Sequence, residues 1–80
     1  MKYVYLIRSK SRPGKTYIGI TEDLEARLKA HNEGSSAHTA RFRPWKLEVA
    51  LAFQQDEKAE DSEEYLRSGS GRAFAKRHFW

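Results

Sequence analysis

The chain has 80 residues, of which 39 % are hydrophobic and 32 % charged, and its 15 Lys and Arg against 11 Asp and Glu give a net charge of +4. A chain of this length is expected to fold as one domain, residues 1–80, around a thin core, which excludes a second domain and a large buried substrate cavity. The absence of cysteine excludes disulfide bonds, thiolate metal ligands and a cysteine nucleophile.

No apolar run approaches the ~20 residues that a membrane span requires, and the apolar stretch within residues 1–8 is too short for a signal peptide. We therefore expect a cytoplasmic protein with no membrane partner. The positive net charge favours a polyanion such as nucleic acid as partner, because each neutralised phosphate releases counterions, but charge alone does not decide the matter.

The chain begins with an alternating segment rich in Tyr and Val, residues 2–8, which predicts a strand. Turn-forming residues follow from Ser9 to Gly14, and Lys15–Ile20 predicts a second strand. The short gap between the two strands favours a hairpin over a crossover connection.

A helix is predicted after the hairpin. Thr21 is expected to cap its N-terminus, and Gly34 is expected to end it. Leu24 and Leu28 lie one turn apart, on the side that should face the core. Residues 34–44 combine Gly, Ser, His, Thr, Arg and Pro, which predicts a loop.

The second half of the chain predicts one more strand and two more helices. Trp45–Phe53 should complete a three-stranded sheet, and residues 56–67 form a helix whose acidic start suits the helix dipole. Ser68–Gly71 should break that helix, and Arg72–Trp80 predicts a short third helix. The predicted order is therefore β-β-α-β-α-α, an α+β fold.

Two familiar kinds of site are excluded by spacing. Gly14-Lys15-Thr16 resembles the end of a phosphate-binding P-loop, but Ser9 stands where that loop needs its first glycine, and a strand follows instead of a helix. The three histidines, His31, His38 and His78, match no metal-ligand spacing.

A third group of residues offers phosphodiesterase chemistry. Tyr5 and Tyr17 lie on adjacent predicted strands, where packing explains them equally well, and Arg27 and His31 lie one turn apart on the first helix. With a carboxylate such as Glu63 they would form a site in which the carboxylate holds Mg²⁺. The metal and the arginine would neutralise charge on the phosphate, and a Tyr or His would move protons.

The tripeptide Tyr3-Val4-Tyr5, followed after the hairpin by Tyr17-Ile18-Gly19, resembles the paired signature of the GIY-YIG nuclease superfamily. The second half is intact, whereas Tyr3 and Val4 stand where the family has Gly and Ile. The remaining family positions follow in order: Arg27, His31-Asn32, His38-Thr39 with Arg41, and Ala59 with Glu63 of an A-x-x-x-E pattern. The resemblance covers nearly the whole chain. It looks most like short stand-alone members related to the nuclease module of nucleotide-excision-repair incision subunits.

The resemblance implies a three-stranded antiparallel sheet flanked by helices. It also implies an enzyme that hydrolyses DNA phosphodiester bonds with one divalent ion, Mg²⁺ or Mn²⁺, and no small-molecule cofactor. By position, Glu63 matches the metal ligand and Arg27 the residue that contacts the scissile phosphate. Tyr5 and Tyr17 would line the site, one of them acting as or orienting the general base, and His31 would help to position the phosphate or water. We expect Arg27 and the metal to lower the pKa of the tyrosine that acts as base.

DNA contacts should run mainly through phosphates, with little sequence preference. The residues expected to make them are Lys15, Lys29, Arg41, Arg43 and Lys46. Residues 67–77 form a second basic stretch with four bases and no acid. The expected substrate is DNA, branched or flapped, in repair or recombination.

Alternative hypotheses remain open at this point. The chain could be a nucleic-acid-binding module with degenerate catalysis, or a protein-interaction module. In the latter case Phe74, Phe79 and Trp80 would form a docking surface instead of closing the core over the sheet. The oligomeric state and the identity of the catalytic tyrosine are also open.

Overall fold

The computed structural model describes all 80 residues and contains three strands and four helices. The elements are β1 (Lys2–Ser9), β2 (Thr16–Thr21), α1 (Leu24–Glu33), α2 (Ala37–Ala40), β3 (Trp45–Phe53), α3 (Asp56–Arg67) and α4 (Gly69–His78). The strands form one antiparallel sheet in the order β2-β1-β3, so that β1 lies in the centre. The predicted α+β order and the antiparallel sheet are thus confirmed, with a single helical turn, α2, inside the segment predicted as a loop.

Helices cover both faces of the central strand. On one face Val4 and Leu6 pack with Ala59 and Leu66 of α3 and with Ala75 of α4. Residues 4–7 are all buried, since both faces of β1 are covered. This explains why the centre of β1 is apolar at successive positions and does not alternate with polar residues. Burying each large aliphatic side chain of this run stabilises the fold by roughly 1.5–3 kcal/mol.

The opposite face of β1 carries a smaller cluster and, beside it, the polar residues of interest. Tyr5 and Ile7 pack there with Trp45 at the start of β3, and Leu24 and Leu28 of α1 cover them. The two leucines therefore face the core as predicted.

Gly19 leaves room for the ring of Tyr5. The two residues are direct partners in the β1–β2 register, and a Cβ atom at position 19 would overlap the Tyr5 phenol. Tyr17 pairs with Ile7 on the same two strands, so it lies diagonally from Tyr5 on the same face of the sheet. The Tyr17-Ile18-Gly19 motif thus requires glycine at its third position, because a larger residue would overlap Tyr5.

The N-terminus of α1 differs from the prediction. Asp23, and not Thr21, is the N-cap: its side chain accepts a hydrogen bond from the backbone N–H of Ala26 at 3.0 Å. The Thr21 hydroxyl accepts instead from the Asp23 N–H at 3.2 Å, in the turn before the helix. At the other end, Gly34 adopts φ 83° and ends α1 as predicted.

The break between the last two helices is shorter than predicted. Ser68 alone separates them, and its side chain caps α4 by accepting from the Gly71 N–H at 3.2 Å. A Cβ atom at Gly71 would overlap the Tyr65 carbonyl, so this glycine permits close packing of α4 on the end of α3. None of the helices combines the length and apolar composition of a membrane span.

Candidate active site

The phenol of Tyr5 lies at the centre of a buried hydrogen-bonded cluster. Its side chain is 2 % exposed, and its hydroxyl lies 2.8 Å from Nε2 of His31. Arg27, one turn before His31 on α1, donates from Nε to the same hydroxyl at 3.4 Å. Strand β1 and helix α1 thus bring together three of the side chains predicted to form the site.

His31 is itself held from its other ring nitrogen. Nδ1 lies 2.7 Å from the hydroxyl of Thr39 in α2, and the Thr39 carbonyl accepts from the indole N–H of Trp45 at 2.9 Å. Hydroxyl groups thus engage both ring nitrogens of His31, and the tautomer of the ring sets which nitrogen donates. Tyr5, His31 and Thr39 therefore form one chain of hydrogen bonds.

Burial keeps this chain uncharged. It lowers the pKa of His31, and the nearby positive charge of Arg27 lowers it further. Burial also raises the pKa of Tyr5, although the hydrogen bond and charge of Arg27 act in the opposite direction. The hydrogen bond to Tyr5 raises the pKa of Arg27, which stays a cation. Arg27 thus acts on Tyr5 in the predicted direction, but desolvation outweighs it.

Tyr17 completes the aromatic part of the site and is less enclosed than Tyr5. Its ring meets the His31 ring edge-on with centroids 5.2 Å apart, and the centroids of the two tyrosine rings are 6.4 Å apart. Unlike Tyr5, it is only half-buried and also lines an open cleft. Of the two phenols, Tyr17 is the one accessible to a ligand.

Glu63 approaches from α3, the helix that covers the other face of the sheet. Its side chain is 16 % exposed, and its negative charge is the weakest of the influences that raise the pKa of Tyr5, so it lies within electrostatic range of that phenol. Oε2 lies 3.5 Å from Nε of Arg67, one turn later on the same helix. The carboxylate is therefore shielded from bulk solvent and close to a cation.

A divalent ion would have to be held largely by Glu63, because the structure has no group of three His, Asp or Glu suited to a metal. Such a donor set does not suit structural zinc, which takes four protein ligands. It does suit Mg²⁺ or Mn²⁺, since a hard ion of this kind binds one or two carboxylates and completes its shell with water and substrate phosphate oxygens. The residues present thus fit the implied metal.

The five basic residues predicted to contact DNA have different local environments. Lys15 lies beside Tyr17 in the open cleft. Arg43 packs against Gly34, the Arg41 guanidinium lies 5.3 Å from the Phe42 ring centroid, and the Lys46 ammonium lies 3.5 Å from Glu48. Lys29 is exposed on α1. Of the five, the structure brings only Lys15 next to the tyrosines.

Four other cations surround that cleft instead. It lies between the β1–β2 hairpin and helices α3 and α4, has a volume of about 580 Å³, and contains no acidic lining residue. We name it the basic cleft, after the cations Arg8, Lys15, Arg67, Arg72 and Lys76. Three of these cations, Arg67, Arg72 and Lys76, belong to the basic stretch over residues 67–77 that the sequence shows. Arg8 was not indicated by the sequence, because a single basic residue in a strand is common. Thr39 and Trp45, which hold His31, were also not predicted as site residues.

The aromatic residues at the end of the chain have different environments. Phe79 and Trp80 pack against the cluster around Val4 and Leu6, in agreement with the interpretation that they close the core. Phe74 is 41 % exposed and meets Tyr65, itself 48 % exposed, edge-on. Trp80 also lines the basic cleft.

Comparison with known proteins finds a matching family model and several similar proteins. The model of the GIY-YIG catalytic domain matches residues 1–77. A UPF0213 protein of Clostridium perfringens is 38 % identical over 68 residues, which are 84 % of this chain and 71 % of that protein. A structure-specific endonuclease subunit SLX1 of Malassezia globosa is 42 % identical over 50 residues, 59 % of this chain but 11 % of that protein.

A solved structure agrees with the fold. The solution NMR structure of a UPF0213 protein from Bacillus halodurans superimposes with a TM-score of 0.57 at 33 % sequence identity. The alignment covers 96 % of this chain and 82 % of that one.

Proposed function

Since the chain belongs to the GIY-YIG family, we propose that it is a metal-dependent endonuclease that hydrolyses phosphodiester bonds in DNA with little sequence preference, in repair or recombination. The observation that carries this proposal is the convergence of Arg27 and His31 on the buried Tyr5, with Tyr17 against His31 and the shielded Glu63 within electrostatic range of Tyr5. The similarity to subunits named structure-specific endonucleases supports the same activity.

Arg27 is the proposed phosphate-binding residue. Its Nε donates to Tyr5, which orients the guanidinium. A guanidinium oriented in this way binds two oxygens of a phosphate and neutralises charge that develops there in the transition state. Tyr5, His31 and Thr39 are then positioning residues, because they act through Arg27 and stay out of contact with the substrate.

Tyr17 is the proposed group that orients the attacking water and, as the phenolate, takes its proton to become the neutral phenol. Tyr5 is a poor candidate, because burial raises its pKa and its hydroxyl is already engaged by His31 and Arg27. Tyr17 lines the open cleft and lies next to His31. A base must be within hydrogen-bond reach of the water that it deprotonates, and Tyr17 is the accessible phenol.

Glu63 is the residue that would hold Mg²⁺ or Mn²⁺. When bound there, such an ion supplies Lewis-acid stabilisation of the phosphate and the leaving oxygen. The pair of Glu63 with Arg67 competes little, since Arg67 is 62 % exposed and exposed ion pairs contribute about 0–1 kcal/mol.

The test is nicking of supercoiled plasmid with Mg²⁺ or Mn²⁺. Glu63→Gln should abolish the metal-dependent nicking, because the amide no longer offers an anionic ligand. Glu64→Gln is the matched control: the residue is adjacent on α3 but exposed, and nicking should be unchanged. Unimpaired nicking by Glu63→Gln would contradict the assignment. A wild-type protein that binds DNA but cuts no plasmid, flap or branched substrate with either metal would favour a binding module instead.

A further inference from the structure

From the basic cleft we infer a specific substrate feature: the protein binds an unpaired DNA strand in this cleft, with one base stacked on the layer formed by Arg8 and Trp80. The inference deepens the proposed function and rests on it for the position of the scissile phosphate beside Arg27 and Glu63. It names the class of DNA as one with a single-stranded segment next to the cleavage site, such as a flap or a splayed junction.

The charges of the basic cleft are available to a ligand. Arg72 and Lys76 lie one turn apart on α4, both are exposed, and neither forms an ion pair within the protein. Arg8 and Arg67 are paired with carboxylates, whereas Lys15, Arg72 and Lys76 share the cleft without an acidic partner and repel one another in the free protein. Binding of a polyanion relieves that repulsion and releases counterions.

The aromatic lining favours an unpaired strand over a duplex as the ligand. The Arg8 guanidinium carbon lies 5.1 Å from the centre of the Trp80 ring, a cation–π arrangement. Arg8 is also held by Glu48, with Nε 3.4 Å from the carboxylate oxygen, and by the Pro13 carbonyl. Unpaired bases stack on indole rings and on guanidinium planes, whereas the faces of paired bases are hidden inside the helix.

The cleft is continuous with the proposed active site. Tyr17 lines the cleft and contacts His31, and Arg67 lines the cleft and pairs with Glu63. A strand whose scissile phosphate meets Arg27 can therefore run past Tyr17 into the cleft. There the next phosphates would meet Arg72 and Lys76.

The experiment measures binding without cleavage, in the Glu63→Gln background with a chelator present. The probes are a fluorescein-labelled oligothymidine and a labelled blunt duplex, followed by anisotropy over a range of salt concentrations. Arg72→Gln/Lys76→Gln is compared with Lys58→Gln/Arg77→Gln, two exposed helical bases that do not line the cleft. The Glu63→Gln background has one acid fewer and a formal net charge of +5, and both double variants lower it to +3, so long-range attraction is matched.

We expect the cleft variant to reduce the salt slope for oligothymidine by about 1.4, about 0.7 for each lost phosphate contact, and the control variant to leave it unchanged. Trp80→Leu should weaken oligothymidine binding about five- to a hundredfold, and Trp80→Phe, which keeps an aromatic ring, should restore most of it. The two Trp80 variants should leave the affinity for the blunt duplex unchanged, and the two double variants should lower that affinity equally.

Equal losses of oligothymidine affinity in the two double variants, or equal losses for oligothymidine and duplex, would overturn the inference. If Trp80→Leu fails to fold, the pair of double variants decides alone, because all four residues are exposed. The two failures can be distinguished. The proposed function fails if the wild type does not nick plasmid, whereas the inference is tested by binding alone and needs no cleavage.

Discussion

Two polar regions meet at Tyr17, and they are built in opposite ways. On one side Tyr5, His31 and Thr39 are buried, uncharged and joined by hydrogen bonds, and no buried side-chain polar atom lacks a partner. On the other side the basic cleft holds five cations, of which Arg72 and Lys76 are exposed and form no ion pair. A dry, satisfied network holds a group in one geometry, whereas solvated cations on flexible stems adapt to ligands of varied sequence.

The largest expected effect comes from the residue that connects the buried network to the substrate. Arg27→Lys keeps the positive charge but loses the planar guanidinium that Tyr5 orients. We expect plasmid nicking to fall about a hundred- to a thousandfold, the size of effect seen when one preorganised transition-state donor is removed. Arg77→Lys, an exposed change on α4, should have no effect. Normal nicking by Arg27→Lys would mean that charge alone suffices and orientation by the network does not matter.

A smaller effect is expected from filling the space beside Tyr5. A methyl group at Gly19 overlaps the phenol and must displace it, so Gly19→Ala should lower the free energy of unfolding by about 1–3 kcal/mol. Gly14→Ala is the control, since nothing lies within 4 Å of a Cβ atom there and its φ is not positive. Urea unfolding of the two variants tests this. Equal stabilities would show that the phenol moves aside without cost and that the buried network does not hold it rigidly.

The smallest expected effect is on the pH dependence of stability. Because the pKa of His31 in the folded protein lies below its ordinary value of 6.5, the unfolded chain binds more protons than the folded one just below that pH. The contribution of the neutral histidine is therefore complete above pH 6.5 and is lost as the pH falls towards the lowered pKa. The urea midpoint should be lower at pH 5.5 than at pH 7.5 in the wild type. The same decline is expected in the control variant His38→Gln, because His38 is exposed. The decline should be smaller in His31→Gln, and an equal decline would contradict the assignment.

Much of the fold could be predicted because its signals are local. The bounds of β3 and α3 agree with the prediction, since an apolar strand between polar segments and a helix with an acidic start leave little ambiguity. Thr21 was the wrong cap because Thr21 and Asp23 are both good N-cap residues, and the choice depends on where the chain turns away from β2. The helical turn α2 was missed because it contains only four residues, including a His and a Thr, and directly follows two serines that are typical of a loop.

The candidate site could be predicted in part. The tyrosine pair, Arg27 and His31 were indicated by residue type, spacing and the family motifs, and the structure brings these four side chains together. Glu63 was indicated by the family motif, and the structure shows its electrostatic influence on Tyr5. The cations were predicted poorly, because a basic residue on a surface carries no sequence signal for the direction in which it points. Arg8 and Arg72 meet in one cleft although 63 positions separate them, which no local pattern encodes.

The amino-acid sequence by itself determined the order of the elements and the chemical groups available to the site, because both follow from side-chain type and short-range spacing. Only the tertiary structure decided which phenol is sealed in the core and which faces a ligand, since that difference arises from the packing of α1 and Gly19 around Tyr5. It also decided which of the cations share the basic cleft, because the path of an approaching polyanion depends on charges that converge in space.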